Sequence, residues 1–266
     1  ILRLRQSGSE ALVRAWLEGD WSIVDGAFFD EWDEPTHVLP SSFSALLKPH
    51  WLRFRAHDWG SAKPFSVGWY CVVEEDIAFG DRIIPRGALV KYREWYGAKG
   101  PNVGLKMIAE EVADGIKLRE KGERIRYGVA DPAVYICNGG PSIGQNMAKR
   151  GVTWRAADNK RIPGWSQLRT RLVGEGGAPM LYFLETCEDT IRTLPAMQHD
   201  ENNQEDIDTD GEDHAADELR YACMSRPWIP RAPAAEALPR KPGEWTIAEL
   251  LDAQRRRNRE HRRNDR

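Results

Sequence analysis

Acidic residues at three separated places in the chain have the residue types needed to hold divalent metal ions. Asp58 and Asp131 each stand where an apolar, strand-like run stops, and Asp213, His214 and Asp217 open an amphipathic, helix-like segment. Carboxylates delivered from two strand ends and one helix can converge on metal ions that keep open coordination positions. That arrangement suits hydrolysis of a phosphodiester, so the pattern predicts a nuclease.

Each of these signals also has a structural explanation. Asp58 and Asp131 could simply form turns, which aspartate favours, and Asp213 and His214 could cap a helix or lie on its exposed start. However, Asp217 follows Asp213 by four residues and His214 by three, so the three side chains share one helical face. The conjunction favours a metal site. An imidazole ligand suits manganese better than magnesium, which prefers oxygen.

A basic and aromatic segment is the candidate for contact with DNA. Basic residues flank two tryptophans, Trp154 and Trp165, in this segment. The basic residues are Lys160, Arg161, Arg169 and Arg171. Such a mixture suits binding to a phosphate backbone, although a solvated surface is an equal alternative. Lys63 and Lys99 are weaker candidates for the same role.

Composition sets outer limits on these interpretations. With 266 residues, of which 41% are hydrophobic, the chain is long enough to bury a sizeable core. No apolar run is long enough to span a bilayer, so we expect no membrane partner. Four isolated cysteines predict small buried side chains in a reducing compartment. A net charge of −3 argues against a wholly basic nucleic-acid coat.

The periodicity predicts an α/β fold. Strands rich in β-forming residues are expected at 52–57, 66–74 and 88–96, joined by short connections as an antiparallel meander. A helix is expected at 103–118, capped by Asn102. Short strands at 126–130, 152–156 and 179–184 then alternate with helices at 142–149, 165–172, 187–197 and 213–224. This order predicts a mixed sheet of ribonuclease H type, with the meander and parallel strands flanked by helices.

Three regions are expected along the chain. Residues 1–50 are interpreted as the end of an upstream domain and a linker, which the family resemblance given below implies to be the end of an ATPase region, and residues 51–228 as the nuclease domain. Residues 229–266 are interpreted as a Pro-rich linker and an Arg-rich tail, which could bind DNA or dock on a partner.

The order of short motifs resembles a known family. The chain resembles the C-terminal nuclease region of the large terminase subunit of tailed bacteriophages, with the end of its ATPase region attached. The motifs that carry the resemblance are Gly-Asp-Trp and Gly-Ala-Phe-Phe-Asp-Glu-Trp within 19–32, Arg-Ala-His-Asp-Trp-Gly at 55–60, Trp-Tyr-Gly at 95–97, Ala-Asp-Pro at 130–132 and Asp-His-Ala-Ala-Asp-Glu-Leu-Arg-Tyr at 213–221.

The resemblance implies a ribonuclease H-like endonuclease that cuts concatemeric double-stranded viral DNA in the cytoplasm of an infected bacterium. It implies two Mg²⁺ or Mn²⁺ ions about 4 Å apart. Asp58 matches the first acid and would bridge both ions, and Asp131 matches the second. Asp217 is favoured as the third ligand, with Asp213 and His214 as auxiliaries. Portal protein and the small terminase subunit are the implied partners, whereas the family's ATP-binding motifs are absent from this chain.

Two rival hypotheses remain open. One is a resolvase-like or transposase-like nuclease of the same fold, acting on branched or end-specific DNA. The other is a non-catalytic motor module that docks on a portal through its Arg-rich tail, with the acids in structural roles.

Overall fold

The computed structural model of the protein describes residues 27–230. In that range the strands are β1 (Val38–Leu39), β2 (Arg53–Asp58), β3 (Ser66–Val72), β4 (Ile77–Phe79), β5 (Arg82–Ile84), β6 (Leu89–Tyr96), β7 (Ala98–Gly100), β8 (Val103–Gly104), β9 (Gly128–Ala130), β10 (Arg155–Ala156) and β11 (Leu181–Leu184). The α-helices are α1 (Glu34–His37), α2 (Ala109–Arg119), α3 (Ile143–Lys149), α4 (Arg161–Val173), α5 (Glu188–Thr193) and α6 (His214–Ser225).

Seven of these strands form one mixed sheet within the described residues. Their order is β1-β11-β6-β3-β2-β9-β10. The central pairs β2–β3 and β3–β6 are antiparallel, and every other pair in the sheet is parallel. The meander and the parallel strands expected from the sequence are therefore confirmed. The remaining strands form two hairpins, β4–β5 and β7–β8.

Helices cover both faces of the sheet because the strands alternate their side chains between two cores. On β3, Tyr70 packs in the core that contains α4 and α6. Its neighbour Trp69 packs in the core that contains α2 and α3. The helix that carries the late acids, α6, thus lies directly on the central strands. Within residues 27–230, no helix is long and apolar enough to cross a membrane.

The helix predicted at 103–118 begins later than expected. Val103 and Gly104 instead pair with β7 in a hairpin. Asn102 has φ 51°, a left-handed conformation suited to a tight turn rather than to a helix cap. A Cβ on Gly104 would lie 2.2 Å from the carbonyl oxygen of Lys63, so this segment packs too closely on the β2–β3 connection to become helical.

The described part of the predicted upstream region packs as part of the same body. Phe28 and Phe29 are buried in the core beneath α4, and β1 pairs in parallel with β11 at the end of the sheet. Parts of 27–50 therefore pack in the same core and pair with the same sheet, and the predicted boundary at residue 50 stays a prediction. Residues 1–26 and the Arg-rich tail after 230 lie outside the described residues.

Candidate active site

Asp58 and Asp131 meet at one edge of the sheet because their strands are parallel neighbours. Asp58 is the last residue of β2, and Asp131 directly follows β9. The two strands pair in register, with His57 opposite Ala130. Since both strands run toward the same edge, the two carboxylates emerge side by side.

Helix α6 brings the late acids to the same edge. It begins at His214 with Asp213 at its N-cap, and it packs on β2, β3 and β9. His214 Nδ1 lies 3.0 Å from Asp58 Oδ2. Two turns further along the same face, the Tyr221 hydroxyl donates to Asp131 Oδ2 at 2.7 Å. One helical face therefore contacts both strand-end acids.

These side chains line a single cavity of about 580 Å³. All five predicted metal-site residues contribute to its wall, namely Asp58, Asp131, Asp213, His214 and Asp217. Tyr221 and Lys63 also line it. The structure therefore brings together residues that are up to 159 positions apart in the chain, counted from 58 to 217.

Burial, together with neighbouring carboxylates, raises the pKa of two acids in the cavity. For Asp58, burial is the largest cause and the charges of Asp217 and Asp213 add to it, while the hydrogen bond from His214 acts in the opposite direction. For Asp213, burial and then the charge of Asp217 raise the pKa to about 6. Both pKa shifts therefore reflect burial first and the neighbouring carboxylates second.

The pKa of His214 is also raised. Burial lowers it, but the hydrogen bond and charge of Asp58 outweigh burial, and Asp213 adds to the same effect. Lys63 opposes the rise weakly. The imidazole and the Asp58 carboxyl thus stabilise each other through their 3.0 Å contact.

The donor atoms fit a divalent cation, although they are not arranged as a finished ligand shell. Within residues 27–230, no group of three or more His, Cys, Asp or Glu side chains is close enough to hold a metal ion as it stands. Asp58 instead contacts His214, and Asp131 accepts a hydrogen bond from Tyr221. His214 Nε2 is nevertheless buried and finds no hydrogen-bond partner among residues 27–230, which suits a metal ligand.

Asp213 and Asp217 differ in how they are held. Asp217 Oδ1 accepts two hydrogen bonds from Arg220, at 3.0 and 2.7 Å. Its Oδ2 lies 3.6 Å from Arg161 Nη1. Within the described residues, the nearest basic partner of the Asp213 carboxylate is His214 Nδ1, at 3.8 Å. Asp217 is thus neutralised by two guanidinium groups, whereas Asp213 is not.

The four residues predicted to bind DNA do not form one surface. Lys160 is the most exposed, with 73% of its side chain accessible. Arg161 is paired with Asp206, and Arg169 donates to the Phe28 carbonyl and stacks on that ring. Arg171 is a correction to the prediction, because it is 2% exposed and its guanidinium donates to the carbonyls of Met180 and Arg226. It braces α4 rather than facing DNA.

Sequence reasoning missed a buried polar group under α6. Lys91 Nζ donates to Glu218 Oε2 at 2.7 Å and to Glu94 Oε1 at 2.9 Å, and Tyr70 donates to Glu218 Oε1 at 2.8 Å. The available signal was a lysine within an apolar strand and a glutamate on the apolar face of a helix. Tyr221, which orients Asp131, was also missed because a helical tyrosine looks like an ordinary core residue.

The fold is similar to those of solved phage terminases. The large terminase from a thermophilic bacteriophage aligns with a TM-score of 0.57 at 18% identity, covering 78% of this chain and 46% of that one. A further crystal form of the same terminase gives 0.58 at 17% identity, with 85% and 51% covered. The P22 large terminase nuclease domain gives 0.57 at 18% identity, with 76% and 93% covered. No protein-family model and no curated protein matches the chain.

These similarities establish the architecture. The seven-stranded mixed sheet with its flanking helices is the ribonuclease H-like fold seen in terminase nuclease domains, as the sequence predicted. This chain spans about half the length of the thermophilic phage terminase chains that it matches.

Proposed function

We propose that this protein is a metal-dependent endonuclease of the terminase type, which hydrolyses concatemeric double-stranded DNA. One observation carries the proposal: four carboxylates and an imidazole from β2, the end of β9 and the start of α6 line a single cavity. Likeness in fold to the P22 nuclease domain supports it. By the same proposal the protein acts in the cytoplasm of an infected bacterium, with portal protein and the small terminase subunit as partners.

The residues that would hold two Mg²⁺ or Mn²⁺ ions are the five that line the cavity. They are Asp58, Asp131, Asp213, His214 and Asp217. Their carboxylate oxygens suit magnesium. Nε2 of His214, which has no hydrogen-bond partner in the described part of the chain, suits manganese. When bound, such ions lower the pKa of water and stabilise the charge on the leaving oxygen.

Two side chains of the protein orient the carboxylates that would bind the metal ions. His214 fixes the carboxylate of Asp58 through a contact of 3.0 Å, and Tyr221 fixes that of Asp131 at 2.7 Å. In the proposed reaction the oxygen of water forms a bond to phosphorus, and the bond from phosphorus to the 3′-oxygen breaks. The electron pair leaves with that oxygen, which takes up a proton, and the water's proton passes to solvent. The products are a 5′-phosphate and a 3′-hydroxyl.

Substitution of Asp58 tests the proposal directly. We expect Asp58→Ala to abolish nicking and linearisation of supercoiled plasmid in Mg²⁺ or Mn²⁺, since both ions would lose a shared ligand, while circular dichroism shows an unchanged fold. Asp81→Ala is the matched control, because Asp81 is an exposed aspartate in the β4–β5 turn. Cutting by Asp58→Ala at the rate of the control would overturn the assignment.

A further inference from the structure

Lys63 is a cation on the wall of an otherwise acidic cavity. It lies five residues after Asp58, in the connection between β2 and β3. Among the described residues that line the cavity, Lys63 carries the one ammonium group. The same cavity is lined by the carboxylates of Asp58, Asp131, Asp213 and Asp217. Its side chain is exposed. A permanent positive charge therefore stands at the mouth of the candidate metal site.

Lys63 is not used as a structural counter-ion. Within the described part of the chain, its ammonium makes no ion pair or hydrogen bond with protein, although four carboxylates line the same cavity. Other cations near the site are engaged, because Arg220 is hydrogen-bonded to Asp217 and Arg161 is paired with Asp206. A free ammonium on the rim is thus available to a ligand that enters from solvent.

The backbone that carries Lys63 is held in one position. Gly104 donates its backbone N–H to the carbonyl of Ala62 at 2.8 Å, and Lys106 donates to that of Ser61 at 3.0 Å. A Cβ on Gly60 would lie 2.0 Å from the carbonyl oxygen of Pro64. The β7–β8 hairpin is tied in turn to the acid-bearing segment, since the N–H of Asn102 donates to Glu212 Oε1 at 2.9 Å. The connection is therefore tied to the β7–β8 hairpin and, through it, to the acid-bearing segment.

From this placement we propose that the ammonium of Lys63 binds a non-bridging oxygen of the scissile DNA phosphate. The inference rests on the proposed nuclease function and adds a residue to it. A phosphodiester that enters a cavity lined by carboxylates is repelled, and a lysine acts on phosphate as a point charge that reduces this repulsion. Lys63 would contact the substrate directly and hold the phosphate where the cleavage takes place.

Three variants distinguish a direct phosphate contact by Lys63 from an effect of the protein's net charge. Lys63→Gln removes the charge and keeps the length, Lys63→Arg keeps the charge, and Lys117→Gln removes an exposed lysine from α2 as a matched control. The measurements are kcat and KM for cleavage of linear duplex in Mn²⁺. They are accompanied by duplex binding in EDTA across a salt series and by the rise in Tm that Mn²⁺ produces.

We expect Lys63→Gln to lower kcat by about a hundredfold, as removal of one preorganised charge-stabilising donor does. Its salt slope for duplex binding should fall by about 1, the value for one lost phosphate contact. Lys63→Arg should stay within about tenfold of the original kcat, because it restores the positive charge. Lys117→Gln should behave like the parent protein, and all variants should keep the Mn²⁺-dependent rise in Tm.

Other results would overturn the proposal in distinguishable ways. A Lys63→Gln variant that cuts as fast as the parent refutes the phosphate contact alone. Loss of the Mn²⁺-dependent rise in Tm in that variant would mean that Lys63 shapes the acid cluster instead. An equal decrease in kcat in Lys63→Gln and Lys117→Gln would mean that the protein's net charge is responsible. A parent protein that cuts no DNA overturns the proposed function itself, and this inference with it.

Discussion

Asp213 and Asp217 stand one turn apart at the start of α6, yet their surroundings give them different tasks. Asp217 accepts two hydrogen bonds from Arg220, a residue that is 2% exposed. Asp213 lies no closer than 3.8 Å to its nearest charged partner. The electron pairs of Asp213 are therefore more available to a cation. The preference for Asp217 as third ligand stays a prediction, and the structure makes Asp213 a strong competitor.

A pair of substitutions decides between them. We expect Asp217→Asn to lower the metal-free unfolding free energy by about 1–3 kcal/mol, because buried Arg220 loses its charged acceptor. Asp213→Asn should keep or raise that free energy, by about 1 kcal/mol at most, since it removes a repelled carboxylate. It should also abolish the stabilisation by Mn²⁺. Urea unfolding with and without Mn²⁺ measures both quantities.

Equal free energies of unfolding without metal in the two variants would contradict these different roles of Asp213 and Asp217. A retained Mn²⁺ effect in Asp213→Asn, together with its loss in Asp217→Asn, would restore Asp217 as the third ligand.

The element that decides the site is α6, and a buried ionic group beneath it sets its position on the sheet. Lys91 on β6 and Glu218 on α6 are both fully buried and lie 2.7 Å apart. Gly68 on β3 makes room for the group, since a Cβ there would lie 2.5 Å from Glu218 Oε1. Because Glu218 follows Asp217 directly, this contact also fixes which way the acid-bearing face of the helix points.

Removing the positive charge of Lys91 should lower the stability of the whole fold. We expect Lys91→Met to lower the unfolding free energy by about 3–5 kcal/mol, because Glu218 and Glu94 would be left buried without a cation. Lys117→Met, on the exposed face of α2, is the matched control and should change stability by less than about 0.5 kcal/mol. Denaturant unfolding at pH 7 measures both.

A Lys91→Met protein as stable as the control would mean that the two glutamates are neutral in the folded state. In that case the contact would not hold α6 on the sheet by charge, and the helix would depend on its apolar packing alone.

At the scale of the whole molecule, the parallel pair β2–β9 is what turns distant acids into one site. Their carboxyl ends share an edge of the sheet, and α6 crosses the same edge. Folding thus concentrates negative charge that the unfolded chain keeps apart. A cation that binds the folded cavity should consequently stabilise the fold as a whole.

Thermal unfolding in a Mn²⁺ series tests that linkage. At a Mn²⁺ concentration about 100 times its Kd, the folded state should gain about 2.7 kcal/mol, and Tm should rise accordingly. Asp58→Ala should show no such rise, whereas Asp81→Ala should match the parent. If neither Mn²⁺ nor Mg²⁺ changes the Tm of the parent protein, the result would favour a purely structural role for the acids.

Much of the molecule was predictable from local pattern. The meander, the mixed sheet and the helix at the late acids are confirmed, since period-two and helical patterns report burial directly. The predicted start of the helix at 103 was wrong because Asn102 adopts a turn and Gly104 packs on a neighbouring connection. Arg171 could not be recognised as buried, because its partners are carbonyls from two other segments.

The sequence alone determined which side chains could do chemistry and on which elements they stand, because residue type and periodicity are local properties. Tertiary structure alone decided that Asp58 contacts His214, that Asp131 accepts a hydrogen bond from Tyr221, and that Asp217 accepts one from Arg220. It also left the ammonium of Lys63 on the cavity wall without an ion pair or hydrogen bond to any of residues 27–230. These contacts depend on strand order and on the rotation of α6 over the sheet, which long-range packing sets and no short stretch of sequence encodes.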